Sequence, residues 1–378
     1  MLDAVLFIYA LLFSGLGSIP GLAVEGTVTR YNEKYVKSVD DDKDRMYLQS
    51  EIGEVAEPKQ SPKGNWMFKY QSTGFGRQFV NTEYKQRFRI FTHTAEDKNK
   101  FGDPAGLMFL RLWDYSVQRI RLDHNVNYYL QTVDVYMTNE GKAGGEQLFD
   151  KDPFTQDQFG KPWTVNTIYI YDLPSFTDPL EMAREIAHEY GHALLPAFGI
   201  YKGPEDWANG DIGERIYMKW LYQDMVAGKL TPEDVMQAKK EQLASYVSTK
   251  VDPLVKQSLL NGLDVAALAD RTEKGYNALL AASVYAQAVL PKNKVGRALI
   301  LASATKKSES LYKSIIEAAS EAEEFEIQVT KLTEGKPIWI PLGKGTVKGA
   351  KVLANKDGYA KVQPTAQIIQ IKNPPLKP

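Results

Sequence analysis

The sequence contains no cysteine and only four histidines among its 378 residues. The lack of cysteine excludes disulfide frameworks, cysteine-ligated zinc, iron–sulfur clusters and thiol nucleophiles. Because imidazoles are so few, any metal site must depend on a small number of residues. That scarcity makes the candidate ligands easy to enumerate.

Neither sign of charge is in excess. The 46 Lys and Arg residues are balanced by 47 Asp and Glu residues, which gives a formal net charge of −1. A protein that binds nucleic acid through its phosphates needs a surplus of basic residues, so no nucleic-acid partner is predicted. The hydrophobic content of 43% is typical of a folded protein rather than a disordered one, and the length predicts two or three domains.

The chain also lacks an apolar run long enough to span a membrane. Residues 4–13 are uninterruptedly apolar, but a bilayer requires roughly 20 such residues. Gly21 and Ala23 occupy the small-residue positions of a signal-peptidase site. We therefore predict a signal peptide over residues 1–23, no stable membrane span after its cleavage, and a location that is secreted or in the cell envelope or periplasm. An uncleaved anchor and a buried apolar segment are the alternatives.

Three regions follow the predicted signal peptide. Residues 24–85 consist of extended segments with polar turns, which predicts an N-terminal β-rich region. Residues 86–325 begin with strands and continue almost wholly as helices, and residues 326–378 return to short β-segments. The predicted fold class is α+β, with a mixed β-sheet lobe, a mainly α-helical lobe and a small C-terminal β module.

One helix has clear start and stop signals. Asp178 is an N-cap candidate followed by proline at the first helical position, and Glu181 completes a capping-box pattern. Pro196 ends the pattern, so the helix is predicted over residues 179–195.

The motif HEYGH lies on this helix at residues 188–192. A spacing of four residues places His188 and His192 on one helix face, one turn apart, where both imidazoles can reach a single metal ion. Glu189 is displaced by about 100° around the helix, so it can contact a water at the metal without being a ligand. The spacing therefore predicts two nitrogen ligands for zinc and an adjacent carboxylate base.

The third protein ligand must be a carboxylate, because no histidine or cysteine follows His192. We favour Glu214, which is expected in the first turn of a returning helix over residues 212–225. A capping-box role for Glu214 is the alternative. Three other carboxylates remain open as the ligand, namely Glu205, Asp206 and Asp211.

The HEYGH motif followed by a helix-borne Glu214 resembles the gluzincins, the thermolysin-like group of zinc metallopeptidases, over roughly residues 86–225. The resemblance implies a zincin-like catalytic domain at residues 86–325, with His188, His192 and Glu214 as zinc ligands. It implies Glu189 as general base, which passes its proton to the leaving amine. It also implies that residues 164–171 form an edge strand that pairs with an extended peptide.

Two departures from this group bear on the prediction. The Asn-Glu pair that often opens the third-ligand helix in this group is replaced by Gly213-Glu214. No downstream histidine is present to stabilise an oxyanion, so zinc or a tyrosine must do so, with Tyr201 and Tyr217 nearest in sequence. Residues 203–210 also loosely resemble the aspzincin pattern, in which an aspartate, here Asp206, is the third ligand.

The sequence thus predicts an exported zinc-dependent metallopeptidase that hydrolyses a peptide or protein substrate. Two other functions are compatible with the same residues. One is a non-catalytic envelope or surface binding protein that retains a zincin fold, and the other is a zinc amidase that acts on a non-peptide amide.

Overall fold

The computed structural model describes residues 33–35, 45–50, 53–60, 66–79, 85–122, 132–156, 160–199 and 201–375. Over these residues the chain combines a mixed β-sheet, a group of helices and a C-terminal set of short strands. The predicted α+β class is confirmed. The predicted signal peptide at residues 1–23 lies outside the described residues.

Strands open and close the described chain, and the helices lie mainly between them. The strands are β1 (Glu33–Tyr35), β2 (Arg45–Ser50), β3 (Glu54–Gln60), β4 (Met67–Phe79), β5 (Lys85–Thr92), β6 (Thr132–Met137), β7 (Gly144–Gln156), β8 (Pro162–Tyr171), β9 (Glu324–Ile327), β10 (Ile338–Pro341), β11 (Thr346–Lys348), β12 (Ala350–Lys356), β13 (Tyr359–Pro364) and β14 (Ile369–Lys372). The helices are α1 (Ala95–Asp97), α2 (Asp103–Tyr115), α3 (Pro179–Leu194), α4 (Asn209–Val226), α5 (Lys240–Tyr246), α6 (Asp252–Asn261), α7 (Val265–Leu268), α8 (Glu273–Val289), α9 (Lys292–Ala304), α10 (Ser310–Ser320) and α11 (Thr330–Thr333).

Eight strands form one sheet in the order β1-β2-β4-β5-β6-β8-β7, and β3 pairs with β4. The central strands β5, β6 and β8 are parallel, whereas β7 returns antiparallel to β8. The expectation that residues 164–171 form the edge strand is therefore wrong. Strand β7, which begins in a glycine-rich segment, pairs with the outer side of β8 and is therefore the edge of the described sheet.

The sheet continues across the predicted boundary between residues 85 and 86. Strand β4 pairs antiparallel with β5, and β5 in turn pairs with β6. The described part of the N-terminal region therefore shares a hydrogen-bonded sheet with the start of the region predicted to be catalytic.

Helix α3 packs its apolar side toward this sheet. The Asp178 side chain accepts a hydrogen bond from the Leu180 amide and caps the helix one residue before Pro179, as the sequence predicts. The fully buried Tyr190 ring lies against the rings of Phe88 and Phe109, with centroids 6.1 and 6.0 Å away. Burial of this face fixes the rotation of α3 about its axis and so determines the directions of the remaining side chains.

Helix α4 crosses α3 with almost no space between the two backbones. A Cβ atom on Gly191 would lie 2.5 Å from the Asn209 carbonyl oxygen, and one on Gly213 would lie 2.5 Å from the Gly191 Cα. The helix begins at Asn209, three residues before the predicted start at residue 212. The closeness of the two helices therefore depends on glycine at both positions.

The C-terminal strands form two antiparallel three-stranded sheets, β10-β13-β12 and β11-β14-β9. Their inward side chains alternate with outward ones, and Ile338, Ile340 and Val362 are completely buried. The Tyr285 hydroxyl donates to the Trp339 carbonyl, which joins these strands to α8. In the described part of the chain, none of the helices has the length and apolar character needed to cross a membrane.

We expect Gly191→Ala to destabilise the fold. Helix propensity alone would favour alanine by up to about 1 kcal/mol, but the added methyl group would overlap the α4 backbone. The net loss in free energy of unfolding should be about 1–3 kcal/mol in urea titrations. Gly53→Ala is the matched control, because no atom of the residues that the structure describes lies within 4 Å of its Cβ position. Equal stabilities of the two variants would contradict the close helix contact.

Candidate metal centre

Two imidazoles and one carboxylate converge at the exposed side of α3. The Nε2 atoms of His188 and His192 are 3.2 Å apart. Glu205, from the loop between α3 and α4, places Oε1 3.1 Å from His188 Nε2 and Oε2 3.5 Å from His192 Nε2. Three donor atoms from two segments of the chain thus meet at one point.

These separations fit one zinc ion. Ligands bound tetrahedrally at about 2.0–2.2 Å from zinc lie roughly 3.3–3.6 Å from each other, and two imidazoles with one carboxylate form a common catalytic donor set. Gly210 lies beside the point where the two Nε2 atoms meet, and a Cβ atom there would approach His192 Nε2 to 2.3 Å and His188 Nε2 to 2.6 Å, so a side chain at this position would crowd the donors. The donor set and the space around it therefore suit a metal ion.

Contacts behind the imidazoles fix which nitrogen faces the site. Asn209 Oδ1 lies 3.0 Å from His192 Nδ1, while its amide nitrogen donates to backbone carbonyls of α3 and of Leu195. Because Oδ1 can only accept, His192 Nδ1 carries the proton and Nε2 keeps a lone pair. Glu214 Oε2, 3.7 Å from His188 Nδ1, favours the same tautomer of that ring.

Glu214 lies behind His188 in a network of its own. The side chain is buried, and its Oε1 accepts hydrogen bonds of 2.7 Å from both Arg184 and Tyr246. Arg215 lies 3.1 Å from its Oε2. The predicted ligand Glu214 therefore approaches the Nδ1 side of His188, whereas Glu205 lies where the two Nε2 atoms meet.

The other two predicted alternatives are differently placed. Asp211 forms a second group of potential donors with His188 and Glu214, but it is paired with Arg215 at 3.0 Å and accepts a hydrogen bond from Tyr276. Asp206 is exposed, and its backbone carbonyl accepts from the Tyr201 amide. Of the four carboxylates considered, Glu205 is the one that contacts both imidazoles.

Glu189 is almost completely buried beside this group. It is 3% exposed, and in the described part of the chain its Oε2 has no hydrogen-bond partner. Strand β7 covers it closely, since a Cβ atom on Gly145 would lie 2.6 Å from Glu189 Cγ. Burial raises the pKa of Glu189 from 4.5 to about 8, so this carboxyl can hold or release a proton near neutral pH.

Opposite charges control the pKa values of His188 and Glu205. Burial alone would lower the pKa of His188, but the carboxylates of Glu205 and Glu214 raise it to about 11. Burial would raise the pKa of Glu205, yet the two imidazoles lower it to about 2. The site thus attracts a positive charge between its imidazoles and Glu205, and a proton and a metal ion would compete for that position.

A cleft of about 360 Å³ opens beside the three donors. Its walls come from the start of β7, the exposed side of α3, the loop that carries Glu205 and the first turns of α4. Gly144 and Gly145 form the β7 side, so the backbone of the edge strand is accessible there. Such a cleft admits an extended segment of a ligand rather than a whole folded domain.

The two tyrosines considered for oxyanion stabilisation lie elsewhere. The Tyr217 hydroxyl is buried 2.8 Å from Ser116 Oγ, and the Tyr201 hydroxyl is 2.5 Å from Ser308 Oγ. Among the residues that the structure describes, neither tyrosine lines the cleft. The tyrosine option for this role therefore has no geometric support.

Sequence reasoning missed Asn209 and Gly210. This Asn-Gly pair is an ordinary turn signal, and here it starts a helix that backs both imidazoles. Its position 17 residues after His192, ahead of a helical pattern, is the only sequence signal for it. Gly144 and Gly145 belong to a glycine-rich segment whose composition favours a turn, whereas in the structure they begin the edge strand beside the cleft.

Comparison with protein-family models finds no family that matches this chain, and no curated protein matches it. The site must therefore be interpreted from its own geometry.

We expect Glu214→Gln to lower the free energy of unfolding by about 2 kcal/mol near neutral pH, because the partly buried Arg184 and Arg215 lose a charged hydrogen-bond partner. The arginines and the contact with His188 outweigh burial and lower the pKa of Glu214 from 4.5 to about 2. Its stabilisation is thus present above pH 4.5 and is lost as the pH falls toward 2. The difference in free energy of unfolding between wild type and variant should therefore decrease as the pH falls from 4.5 toward 2.

Urea titrations near pH 7, 4.5 and 3 measure this difference. Glu334→Gln is the control, since Glu334 forms exposed pairs with Lys256 and Lys336 and should change stability little. A difference that stays constant with pH would contradict the buried network.

Proposed function

We propose that this protein is a zinc-dependent metallopeptidase with a zincin-like fold. The observation that carries the proposal is the convergence of His188, His192 and Glu205 at separations of 3.1–3.5 Å, beside a buried Glu189 with an unpartnered oxygen. A structural metal site would need the ligands but not the adjacent free carboxyl. That carboxyl favours a hydrolase over a non-catalytic binding protein.

In this proposal the zinc ligands are His188 Nε2, His192 Nε2 and the Glu205 carboxylate. Glu214 becomes a positioning residue that holds His188 from behind, and Asn209 does the same for His192. Three protein ligands leave one position for water or substrate, as in other catalytic zinc sites. This assignment replaces Glu214 by Glu205 as the proposed third ligand.

Zinc, when bound, would supply Lewis-acid chemistry, which lowers the pKa of water to about 7 and polarises a carbonyl group. Glu189 performs the proton transfers. It accepts a proton from the attacking water, whose oxygen bonds to the carbonyl carbon, and it gives the proton to the nitrogen as the C–N bond breaks. Its position beside the three donors and an oxygen that has no hydrogen-bond partner among the described residues suit it to both steps.

A peptide is the proposed substrate rather than a non-peptide amide. Strand β7 is the edge of the described sheet and borders the cleft, so its free backbone groups can pair with an extended peptide. Gly144 and Gly145 carry no side chains that would block this approach. Export to the cell surface or beyond remains part of the proposal and rests on residues 1–23.

Zinc stoichiometry tests the ligand assignment. The chelator-treated wild type should take up about one zinc per chain, and Glu205→Ala should lose this binding because one of three protein ligands is removed. Glu214→Gln should keep zinc with about 10- to 100-fold weaker affinity, as expected for a residue that orients a ligand. Competition with a chromogenic chelator gives both quantities.

Asp206→Asn is the control for zinc uptake, since Asp206 is the exposed neighbour of Glu205. Full affinity in Glu205→Ala together with loss of zinc in Glu214→Gln would return the third-ligand role to Glu214. Circular dichroism of each variant separates loss of metal from loss of fold.

Glu189→Gln tests the proposed base. The variant should bind zinc like the wild type, because no ligand is changed, but should hydrolyse peptides about 10²- to 10⁴-fold more slowly. Release of new amino termini from a peptide mixture measures the rate, with Asp206→Asn as control. Hydrolysis at the wild-type rate would remove Glu189 from the mechanism.

A further inference from the structure

The carboxylates that line the cleft differ in how their charges are balanced. The role inferred for one of them rests on the proposed function. Arg184 contacts both Glu181 and Glu214, and Arg215 contacts both Glu214 and Asp211. Glu205 and Glu189 serve the metal and the proton transfer in the proposed mechanism. One lining carboxylate, Glu185, remains after this assignment.

Glu185 lies on α3 one turn before Glu189 and is only partly exposed. In the part of the chain that the structure describes, no side chain forms a hydrogen bond or ion pair with it. Gly144 lies opposite, where a Cβ atom would come no closer than 4.0 Å to Glu185 Oε1. The carboxylate therefore faces open cleft between α3 and the edge strand.

A partly buried carboxylate without an ion-pair partner in direct contact is unfavourable unless a ligand supplies one. A second feature of the same cleft also indicates a ligand, because the almost fully buried Glu189 lines it and, among the described residues, has an oxygen without a hydrogen-bond partner. We propose that Glu185 is a specificity-determining residue that binds the lysine or arginine side chain directly after the scissile bond.

The direction of the substrate follows from the edge strand. Along β7 the chain passes from Gly144, next to Glu185, to Gly145, next to Glu189. A peptide that pairs antiparallel with β7 runs the opposite way, from Glu189 toward Glu185. If its scissile bond lies at Glu189, the side chain that reaches Glu185 belongs to the residue that follows the bond.

The spacing suits this assignment. Side chains four residues apart on a helix are about 6 Å apart, which is within reach of one extended residue and its side chain. A long basic side chain can place its charge at Glu185 while its methylene groups lie along the cleft. An acidic side chain at the same position would be repelled by the Glu185 carboxylate.

Binding to an inactive protein tests the inference without turnover. Zinc-loaded Glu189→Gln would be titrated calorimetrically with two hexapeptides that differ only in lysine or norleucine after the bond that the wild type cleaves. The lysine peptide should bind about tenfold or more tightly, because a charge-assisted hydrogen bond replaces an unpaired carboxylate. Adding Glu185→Gln should reduce this ratio to less than about twofold.

Glu181→Gln in the same inactive background is the matched control. Glu181 lines the same cleft but is already paired with Arg184, so the preference for lysine should persist. Equal affinities for the two peptides, or a preference that survives Glu185→Gln, would overturn the inference.

Cleavage of a random peptide library by the wild type locates the preferred residue. Enrichment of lysine or arginine directly after the cleaved bond supports the assignment, and enrichment before it overturns the substrate direction. Failure of the proposed function gives a different result, because the wild type would then cleave no peptide. With peptidase activity present and no basic preference, the inference about Glu185 alone would fail.

Discussion

The contact between Gly191 of α3 and Gly213 of α4 is the constraint on which the site depends. Neither residue has a side chain, so the two backbones approach to distances that a Cβ atom would prevent. This approach places Asn209 behind His192, Gly210 beside the two Nε2 atoms and Glu214 next to His188. A methyl group between the two helices would displace Asn209, Gly210 and Glu214 together. The close packing of α3 and α4 therefore controls the geometry of the candidate catalytic centre.

Glu214 and Glu205 both contact the His188 imidazole, but their charges are balanced in different ways. Glu214 is buried, and two arginines and a tyrosine already occupy its oxygens, so its charge is used to hold His188 and the arginines in place. Glu205 lies on a loop, and within the described part of the chain its charge is balanced by the imidazoles and by no arginine or lysine in contact. A divalent cation would therefore stabilise the charge of Glu205 more than that of Glu214, which already has two arginines as counter-charges. This difference is the physical reason for assigning Glu205 to the metal in the proposed function.

Local signals in the sequence are sufficient to predict helix α3 and the placement of its two histidines on one face. The Asp178 cap, the proline after it and the period of α3 are all short-range, and the structure agrees with them. The position of Glu205 depends instead on the loop between α3 and α4, where Gly199 pairs with Trp207 and Lys202 bonds to Arg271. The edge strand was misplaced for a related reason, since the pairing of β7 with β8 is a contact between segments that no local pattern specifies.

Two carboxylates one turn apart on α3 face the same cleft with different environments. Glu189 lies under the β7 backbone, where burial raises its pKa to about 8 and suits it to exchange protons. Glu185 lies farther toward the start of the helix, in a more open part of the cleft, where a substrate charge could reach it. Burial also raises the pKa of Glu185, and a cation bound there would favour its ionised form. In the proposed peptidase, one helix face would therefore combine the proton-transfer group with the group that selects the substrate, and the same edge strand would align the peptide with both.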